Sequence, residues 1–256
     1  MRNIRLILAY DGTDFRGWQR QPDAPTIQGC LEDALQKLTG APAQVFGSGR
    51  TDAGVHALHQ VANFHTASTV PCANFVKALN DLLPPTVRIK GADDVAAAFH
   101  ARYDVRCKTY RYRMVLTPVC SPLLWRFVWH YPYPLDRAQM AQAAGLFEGE
   151  HDFTSFAAAN GQEDEDTKSR VRVIFRSRFL WRPRSSMLVY EVTGRGFLRY
   201  MVRNIVGTLI EAGRGKLGPS DIPKILAARD RTQAGPTAPA QGLCLMNVEY
   251  ENRVIG

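Results

Sequence analysis

Apolar residues alternate or recur at helical spacing along most of the chain, and this pattern predicts strands interleaved with helices. Near the N-terminus, alternating apolar side chains predict a strand over 4–10 that ends in a turn at Asp11-Gly12-Thr13. A helix is predicted from Ile27, with Thr26 as its N-cap and Gly40 as its end. Further helices are predicted over 75–83, 136–147, 197–212 and 220–228, and further strands over 55–64, 105–116, 171–179, 187–193 and 243–250.

Two rounds of strands interleaved with helices favour an α/β or α+β protein with two similar halves. We predict that the halves are 1–104 and 105–256, with the join in a segment near 100–108. The Gly- and Pro-rich stretch 234–242 leads directly into an apolar strand, so we expect an ordered loop there rather than a linker.

Composition narrows the class of protein without identifying it. The 256 residues, 45% hydrophobic and 22% charged, suit one large or two small globular domains. The first apolar stretch is too short for a secretory signal, and no later run reaches the length of a membrane span. Five scattered cysteines argue for reduced thiols rather than disulfides or zinc knuckles. We therefore expect a soluble cytoplasmic protein.

The charge is basic overall and unevenly placed. A formal charge of +8 and a pI near 9.4 suggest a polyanionic partner, because clustered cations release counterions from phosphates. Between Lys168 and Arg231 there are 15 Lys or Arg against four acids, and an acidic run at 163–166 precedes them. A solvated basic face with no ligand is the alternative.

The most informative stretch is GSGRTDAGVHA at 47–57, whose glycines permit a tight loop presenting Arg50 and Asp52. It is a weak nucleotide fingerprint, since Asp52 replaces the third glycine and a carboxylate would repel phosphate. Asp52 is either a catalyst or an Asx-turn residue. A metal site using Asp52, His56 and His59 is a third interpretation, although no further cluster completes a usual zinc set.

Two other segments combine aromatic and basic residues. In KTYRYR at 108–113, alternation places Tyr110 and Tyr112 on one strand face and Arg111 and Arg113 on the other. Aromatics beside cations suit RNA with an exposed base, whereas the alternative is an amphipathic strand with tyrosines in the core.

The second such segment is GRGFLRYMVRNIVG at 194–207, where helical spacing puts Phe197 and Met201 on one face and Tyr200 and Arg203 on an adjacent one. A partly buried Arg203 needs an anion, and Asp52 is a candidate because such a pair would hold the carboxylate ionised. The alternative is a guanidinium that extends to solvent from an apolar helix.

Taken together, these segments resemble the tRNA pseudouridine synthase A family. The matching pieces follow one another along nearly the whole chain, and the GRTDAGVHA segment is highly specific. They are AYDGTDFRGWQRQ, TIQG, GSGRTDAGVHA, FHAR with KTYRY, HDFTSF, GRGFLRYMVRNIVGTL and APAQGLCL.

The resemblance implies the pseudouridine synthase fold, with two related α/β halves forming one extended mixed sheet and a central active-site cleft. It implies an isomerase that converts uridine to pseudouridine at positions 38, 39 and 40 of the tRNA anticodon stem-loop. It further implies a homodimer with tRNA as partner and no cofactor or metal.

The resemblance also assigns roles to individual residues. Asp52 is the catalytic nucleophile, Arg203 its ion-pair partner, and Tyr110 the residue that packs on uracil. The implied substrate-binding residues besides Tyr110 are Arg50, which helps to extrude the nucleotide, Leu243, an apolar base contact, and Arg102. Two other function classes remain open from the residues themselves: a non-catalytic RNA-binding module, and a metal-dependent nucleotide hydrolase using Asp52, His56 and His59.

Overall fold

A computed structural model describes residues 1–158, 169–182 and 186–251 of the chain. The acidic run at 163–166, together with Lys168 and Arg184 of the basic region, lies outside these residues. The described part contains the strands β1 Arg2–Tyr10, β2 Phe46–Gly47, β3 His56–Thr66, β4 Val87–Val95, β5 Val105–Val115, β6 Trp129–His130, β7 Gly149–Asp152, β8 Val171–Arg182, β9 Met187–Gly194 and β10 Leu243–Tyr250. Its α-helices are α1 Ile27–Thr39, α2 Cys72–Leu82, α3 Arg137–Gly145, α4 Met201–Gly213 and α5 Asp221–Ala228.

The chain forms two compact units. The first comprises Met1–Arg106 with the segment from Cys244 onward, and the second comprises Cys107–Leu243. The predicted α/β class with mixed sheets is confirmed. The division into 1–104 and 105–256 stays a prediction of domain organisation, and the observed units place most of β10 with the first unit.

In the first unit, the strand order is β4-β1-β3-β10, and β2 pairs with β3. β1 is antiparallel to both neighbours, whereas β10 is parallel to β3, with Cys244 opposite His56. The parallel pairing requires a long crossover, which the intervening chain supplies. The buried side chains of β1, α1 and α2 form the core, and they include Ile4, Leu6, Leu8, Ile27, Leu31, Phe75 and Leu79.

In the second unit, the order is β5-β9-β8-β7, and β6 pairs with β5 in parallel. One face of this sheet is covered, as the Ser177 hydroxyl of β8 donates to the Ala144 carbonyl of α3 at 2.7 Å. The same hydroxyl lies 2.7 Å from the Tyr190 hydroxyl, so these polar groups are satisfied inside an apolar layer.

The residues predicted to begin and end helix α1, Thr26 and Gly40, do so in the structure. The Thr26 side chain accepts a hydrogen bond from the Gly29 amide, and Gly40 adopts the left-handed conformation with φ 73° at the C-terminus. Every helix of the described chain falls short of the length and apolarity that crossing a membrane requires.

The start of one predicted helix needs correction, and several strands are absent from the prediction. The helix predicted from 197 begins at Met201, because Tyr200 has φ 63° and lies in the left-handed region, which a right-handed helix cannot include. Strand β4 is missing from the prediction. Only its first half alternates, with Val87 and Ile89 buried, and the rest is the polar GADDV.

Candidate active site

Asp52 lies in the loop over 47–55. Backbone hydrogen bonds with the N-terminal segment hold this loop in place. The Trp18 amide donates to the Thr51 carbonyl at 3.0 Å, and the Gly54 amide donates to the Phe15 carbonyl at 3.3 Å. The Val55 amide donates to the Asp52 carbonyl at 3.1 Å, which closes a tight turn around Asp52. Asp52 itself is half-buried, whereas Thr51 and Val55 beside it are buried.

Gly17 permits this close approach of two chain segments. Its φ is +94°, and a Cβ at this position would lie 2.6 Å from the Thr51 carbonyl oxygen. Any other residue would therefore be strained and would push the Asp52 loop outward. Within the loop, Gly54 has φ +78°, which confirms that the turn uses glycine for a left-handed position.

A buried hydrogen-bond network fixes the loop from the sheet. The Tyr10 and Thr51 hydroxyls lie 2.9 Å apart, and Gln60 Nε2 donates to the Gly49 carbonyl at 3.0 Å. The Ser48 hydroxyl donates to Gln60 Oε1, so both ends of the Gln60 amide are used. Burial raises the pKa of Tyr10 far above its ordinary value, so its hydroxyl stays protonated. The network holds the backbone on both sides of Asp52 in one geometry.

The metal interpretation finds no support in the donor set. His56 is buried, and its Nδ1 lies 3.1 Å from the Gly12 amide nitrogen and 3.1 Å from the Asp11 carboxylate. The pKa of His59 is lowered, first by burial and then by the cations Lys90 and Arg5. Among the described residues, no three His, Cys, Asp or Glu side chains are grouped so that they could hold a metal ion.

Arg50 and Arg102, which are predicted to bind substrate, lie in the first unit, as Asp52 does. Arg50 is exposed, and its Nε donates to the Gln19 side-chain oxygen at 2.9 Å. Arg102 is half-buried, its amide donates to His100 Nδ1 at 3.1 Å, and its guanidinium lies 5.8 Å from the Tyr103 ring centre.

Strand β5 carries the predicted tyrosines in the second unit. Tyr110 is 7% exposed and meets Phe197 edge-to-face at a centroid distance of 5.2 Å. Tyr112 is fully buried, and its hydroxyl donates to the Pro239 carbonyl at 2.7 Å. The predicted alternation is confirmed, because Arg111 and Arg113 are half-buried on the opposite face. Tyr112 has a structural hydrogen bond to the stretch 234–242.

Arg203 lies in the first turn of α4, and its surroundings orient the guanidinium. Its Nε donates to the Ala238 carbonyl at 2.8 Å, and the Ala238 amide donates back to the Arg203 carbonyl at 3.2 Å. The guanidinium carbon is 5.0 Å from the centre of the Tyr200 ring, and that of Arg199 is also 5.0 Å from it. The Tyr200 ring is therefore near two cations, while its backbone is in the left-handed conformation.

The Gly- and Pro-rich stretch 234–242 packs on α4 through a buried polar group, Asn204. Its side-chain oxygen accepts from the Thr237 hydroxyl at 2.6 Å and from Arg231 Nη2 at 3.0 Å. Its amide donates to the Phe156 carbonyl at 2.7 Å. The loop is thus ordered, as predicted, and it carries the carbonyl that orients Arg203. Leu243, which follows the loop, is 5% exposed at the start of β10.

Sequence reasoning missed the residues that support the site. Gln60 and Asn204 are fully buried, and each accepts or donates several hydrogen bonds to a loop. The signal in the sequence is a polar residue at an apolar position of the pattern. In β3, Gln60 occupies a core position, and in α4, Asn204 lies on a helix whose other side chains are mostly apolar.

Comparison with known proteins gives one consistent result. The family model described as tRNA pseudouridine synthase matches residues 6–104 and 143–251. A protein named tRNA pseudouridine synthase A from Solibacter usitatus is 54% identical over 250 residues, which cover 98% of this chain and 100% of that protein. A protein of the same name from Brevibacillus brevis is 46% identical with the same coverage of both chains.

Among solved structures, 3-hydroxy-3-methylglutaryl-coenzyme A reductase from Streptococcus pneumoniae aligns with 11% identity and a TM-score of 0.20. The alignment covers 91% of this chain and 60% of that one. A likeness this low supports no inference.

Proposed function

The chain belongs to the tRNA pseudouridine synthase family, and on that premise we propose that it isomerises uridine to pseudouridine at positions 38, 39 and 40 of the tRNA anticodon stem-loop. The observation that carries the proposal is the loop over 47–55, which presents the half-buried Asp52 between the buried Thr51 and Val55. A loop that serves only as a turn does not need the buried network of Tyr10, Gln60 and Ser48 beneath it.

The reaction breaks the N1–C1′ bond of uridine and joins C1′ to C5, while the proton on C5 leaves to solvent and N1 takes up a proton. Bond order and oxidation state balance within the nucleotide, so we propose that no cofactor or metal takes part. A stacked base cannot present C1′ to a side chain, and the uridine must therefore be extruded from the RNA. We assign extrusion to Arg50, with Arg102 as a further RNA contact.

We assign Asp52 as the carboxylate that acts on the ribose. It either attacks C1′ to form a covalent sugar adduct or removes a ribose proton to give a glycal, and both routes need the same ionised oxygen. Arg203 is the cation that keeps Asp52 ionised, because a nearby positive charge lowers the pKa of a carboxyl group. The hydrogen bond from Arg203 Nε to the Ala238 carbonyl holds the guanidinium in one orientation.

Tyr110 is assigned as the platform for the extruded uracil and as a proton-transfer group, and Leu243 as an apolar contact to the base. The aromatic edge of Phe197 restrains the Tyr110 ring, which lowers the entropy cost of stacking on a base. We further propose that the protein is a homodimer and acts in the cytoplasm, where its tRNA substrate and reduced cysteines both fit.

The test is a tRNA that carries tritium at uridine C5, since joining C1′ to C5 must release the label to water. Release by the purified protein, with pseudouridine in the product, supports the proposal. The alternative, a non-catalytic RNA-binding module, predicts tRNA binding with no tritium release. The metal-dependent hydrolase alternative predicts no tritium release and, instead, a nucleotide hydrolysis that a chelator abolishes.

A further inference from the structure

The sheet of the second unit has two faces of different chemistry. The face that carries Ser177 and Tyr190 is buried beneath α3. Side chains alternate along a strand, so the opposite face carries Arg111 of β5, Glu191 of β9 and Arg178 of β8. These three residues are directly opposite one another in the strand register. We call this set, with the neighbours Arg113 and Arg176, the arginine face.

One buried carboxylate organises the centre of the arginine face. Arg111 Nε donates to Glu191 Oε2 at 2.9 Å, and Arg178 Nη2 donates to Glu191 Oε1 at 2.9 Å. The Glu191 side chain is 6% exposed, whereas those of Arg111 and Arg178 are 37% and 50% exposed. Two guanidiniums share one carboxylate, so the group keeps one positive charge and holds both cations at fixed positions toward solvent.

The positive charge extends beyond this group. Arg113 follows Arg111 by two residues and Arg176 precedes Arg178 by two, so both project to the same side, about 7 Å along their strands. On this face, β5 contributes Arg111 and Arg113 and β8 contributes Arg176 and Arg178, whereas the acid that faces them from β9 is Glu191. The arginine face therefore carries an excess of cations that the sheet itself does not neutralise.

The first unit provides a contrast. Its outward arginines on β1 each have an aspartate of their own, since Arg2 contacts Asp94 at 2.8 Å and Arg5 contacts Asp93 at 2.9 Å. The two arginines of β1 are thus each neutralised by an aspartate, whereas the four arginines of the arginine face have the single carboxylate of Glu191 among them. The excess is a property of the second sheet and not of basic composition alone.

We infer that the arginine face binds the phosphate backbone of RNA, as a contact surface separate from the site of the target base. The inference rests on the proposed function in taking RNA as the polyanion. Tyr110, assigned to the base, points to the other side of β5 from Arg111, so the two surfaces contact different parts of the RNA. Guanidinium forks match phosphate oxygens in geometry, and such contacts fix position without reading sequence.

A second copy of this chain fits the face less well. A two-fold interface would place the arginine face against itself, and cations would then oppose cations. The phosphates of an RNA backbone match both the sign and the distribution of the charge on the arginine face.

The test is the double variant Arg113→Gln/Arg176→Gln, which removes two charges and leaves the pairs around Glu191 intact. The matched control is Arg5→Gln/Lys224→Gln, which removes two cations already paired with Asp93 and Asp221 at 2.9 and 2.8 Å. The tRNA dissociation constant of each protein is measured over a series of salt concentrations. For the arginine-face variant, we expect weaker binding and a salt slope smaller in magnitude by about 0.7 to 0.9 for each phosphate that the variant no longer neutralises.

We expect the control to match the wild type, and tritium release at saturating tRNA to be the same for all three proteins. An arginine-face variant with wild-type affinity and salt slope would overturn the inference. So would a variant whose oligomeric mass changes while its RNA contacts persist, because the face would then contact a second copy. Both results come from binding and mass measurements, so they are separate from a failure of the wild type to release tritium, which would refute the proposed function.

Discussion

Tyr110 and Tyr112 lie two residues apart on the same strand face, and each has a contact of its own. The Tyr112 hydroxyl donates to Pro239 within the core, and burial raises its pKa well above the ordinary value. Tyr110 contacts Phe197 through its ring and is assigned to the uracil. The pair therefore offers the same substitution at the proposed catalytic position and at a position with a structural hydrogen bond.

Tyr110→Phe keeps the ring and removes the hydroxyl. We expect tRNA affinity to stay close to that of the wild type and the turnover number to fall about 100-fold or more, the usual contribution of general acid–base catalysis. Tyr112→Phe is the control, and its effect should appear as reduced stability, about 1 kcal/mol for a buried hydrogen bond. Single-turnover rates and urea denaturation separate the two effects. If Tyr110→Phe turns over at the wild-type rate, its role is that of a platform alone.

The ionisation of the buried Glu191 is coupled to folding. Burial acts to raise its pKa, but the hydrogen bonds from Arg178 and Arg111 outweigh burial, so the pKa in the folded protein lies below the ordinary 4.5. Folding therefore favours the ionised form. This contribution is complete above the ordinary pKa and is lost as the pH falls through the lowered value in the folded protein.

Glu191→Gln should thus reduce the free energy of unfolding by about 1.5 to 3 kcal/mol at neutral pH, the range for hydrogen bonds to charged groups. The difference from the wild type should shrink in acid, where Glu191 becomes protonated. Thermal or urea denaturation at neutral and acidic pH measures this difference, with the exposed Glu150→Gln as control. A difference that is constant across this pH range would mean that the carboxylate charge is not what stabilises the strands.

At the scale of elements, the contact between α4 and the loop over 234–242 connects the fold to the site. A Cβ on Gly207 would lie 1.6 Å from the Pro236 carbonyl oxygen, so the loop can approach the helix only because this residue is glycine. The approach brings the Ala238 carbonyl to Arg203. Packing at Gly207 and orientation of the Arg203 guanidinium are therefore linked.

Gly207→Ala should push the loop away from α4 and destabilise the protein by about 1 to 3 kcal/mol, the usual cost of overpacking. It should also slow turnover, because the Ala238 carbonyl would no longer orient Arg203. Gly145→Ala in α3 is the matched control, since a Cβ there meets nothing within 4 Å and the helix should form at least as well. If Gly207→Ala releases tritium at the wild-type rate, the contact between α4 and the loop over 234–242 does not contribute to catalysis.

The elements that the sequence predicts well are those with a clear period or cap. Helix α1 and strand β10 follow their patterns closely, because Thr26 and Gly40 delimit the helix and an apolar run fills the strand. Strand β7 is polar and has no such period. It forms by pairing through its backbone with β8. The predicted start of α4 is four residues early, because helical spacing continues through Tyr200 while its backbone does not.

The site is predictable from the sequence in part. A specific motif locates Asp52, and an ordered loop is expected before β10. The groups that hold these segments escape prediction, because Gln60 and Asn204 act through backbone carbonyls and hydroxyls that come together only in the folded chain. The spacing of residues along the sequence does not indicate which of these groups come within hydrogen-bond distance.

At the scale of the whole molecule, the proposed homodimer makes a simple prediction. Light scattering of the purified protein should give about twice the 28.6 kDa mass of one chain. Dilution should lower the mass and the activity together if one tRNA contacts both subunits. A fully active protein with the mass of one chain would refute the dimer and leave the assignment of Asp52 untouched.

The central claim concerns the charge of Asp52. Asp52→Asn keeps the size of the side chain and most of its turn-forming hydrogen bonds, but it removes the ionised oxygen that must act on the ribose. Some stability should be lost as well, because Arg203 would lose its proposed anionic partner. Asp81→Asn, an exposed position on α2, is the matched control.

The measurement is tritium release from C5-labelled tRNA, made beside a tRNA binding titration on the same preparation of folded protein. We predict that Asp52→Asn binds tRNA and releases no tritium, while Asp81→Asn behaves as the wild type. If Asp52→Asn binds tRNA and still releases tritium at the wild-type rate, Asp52 is not the catalytic carboxylate.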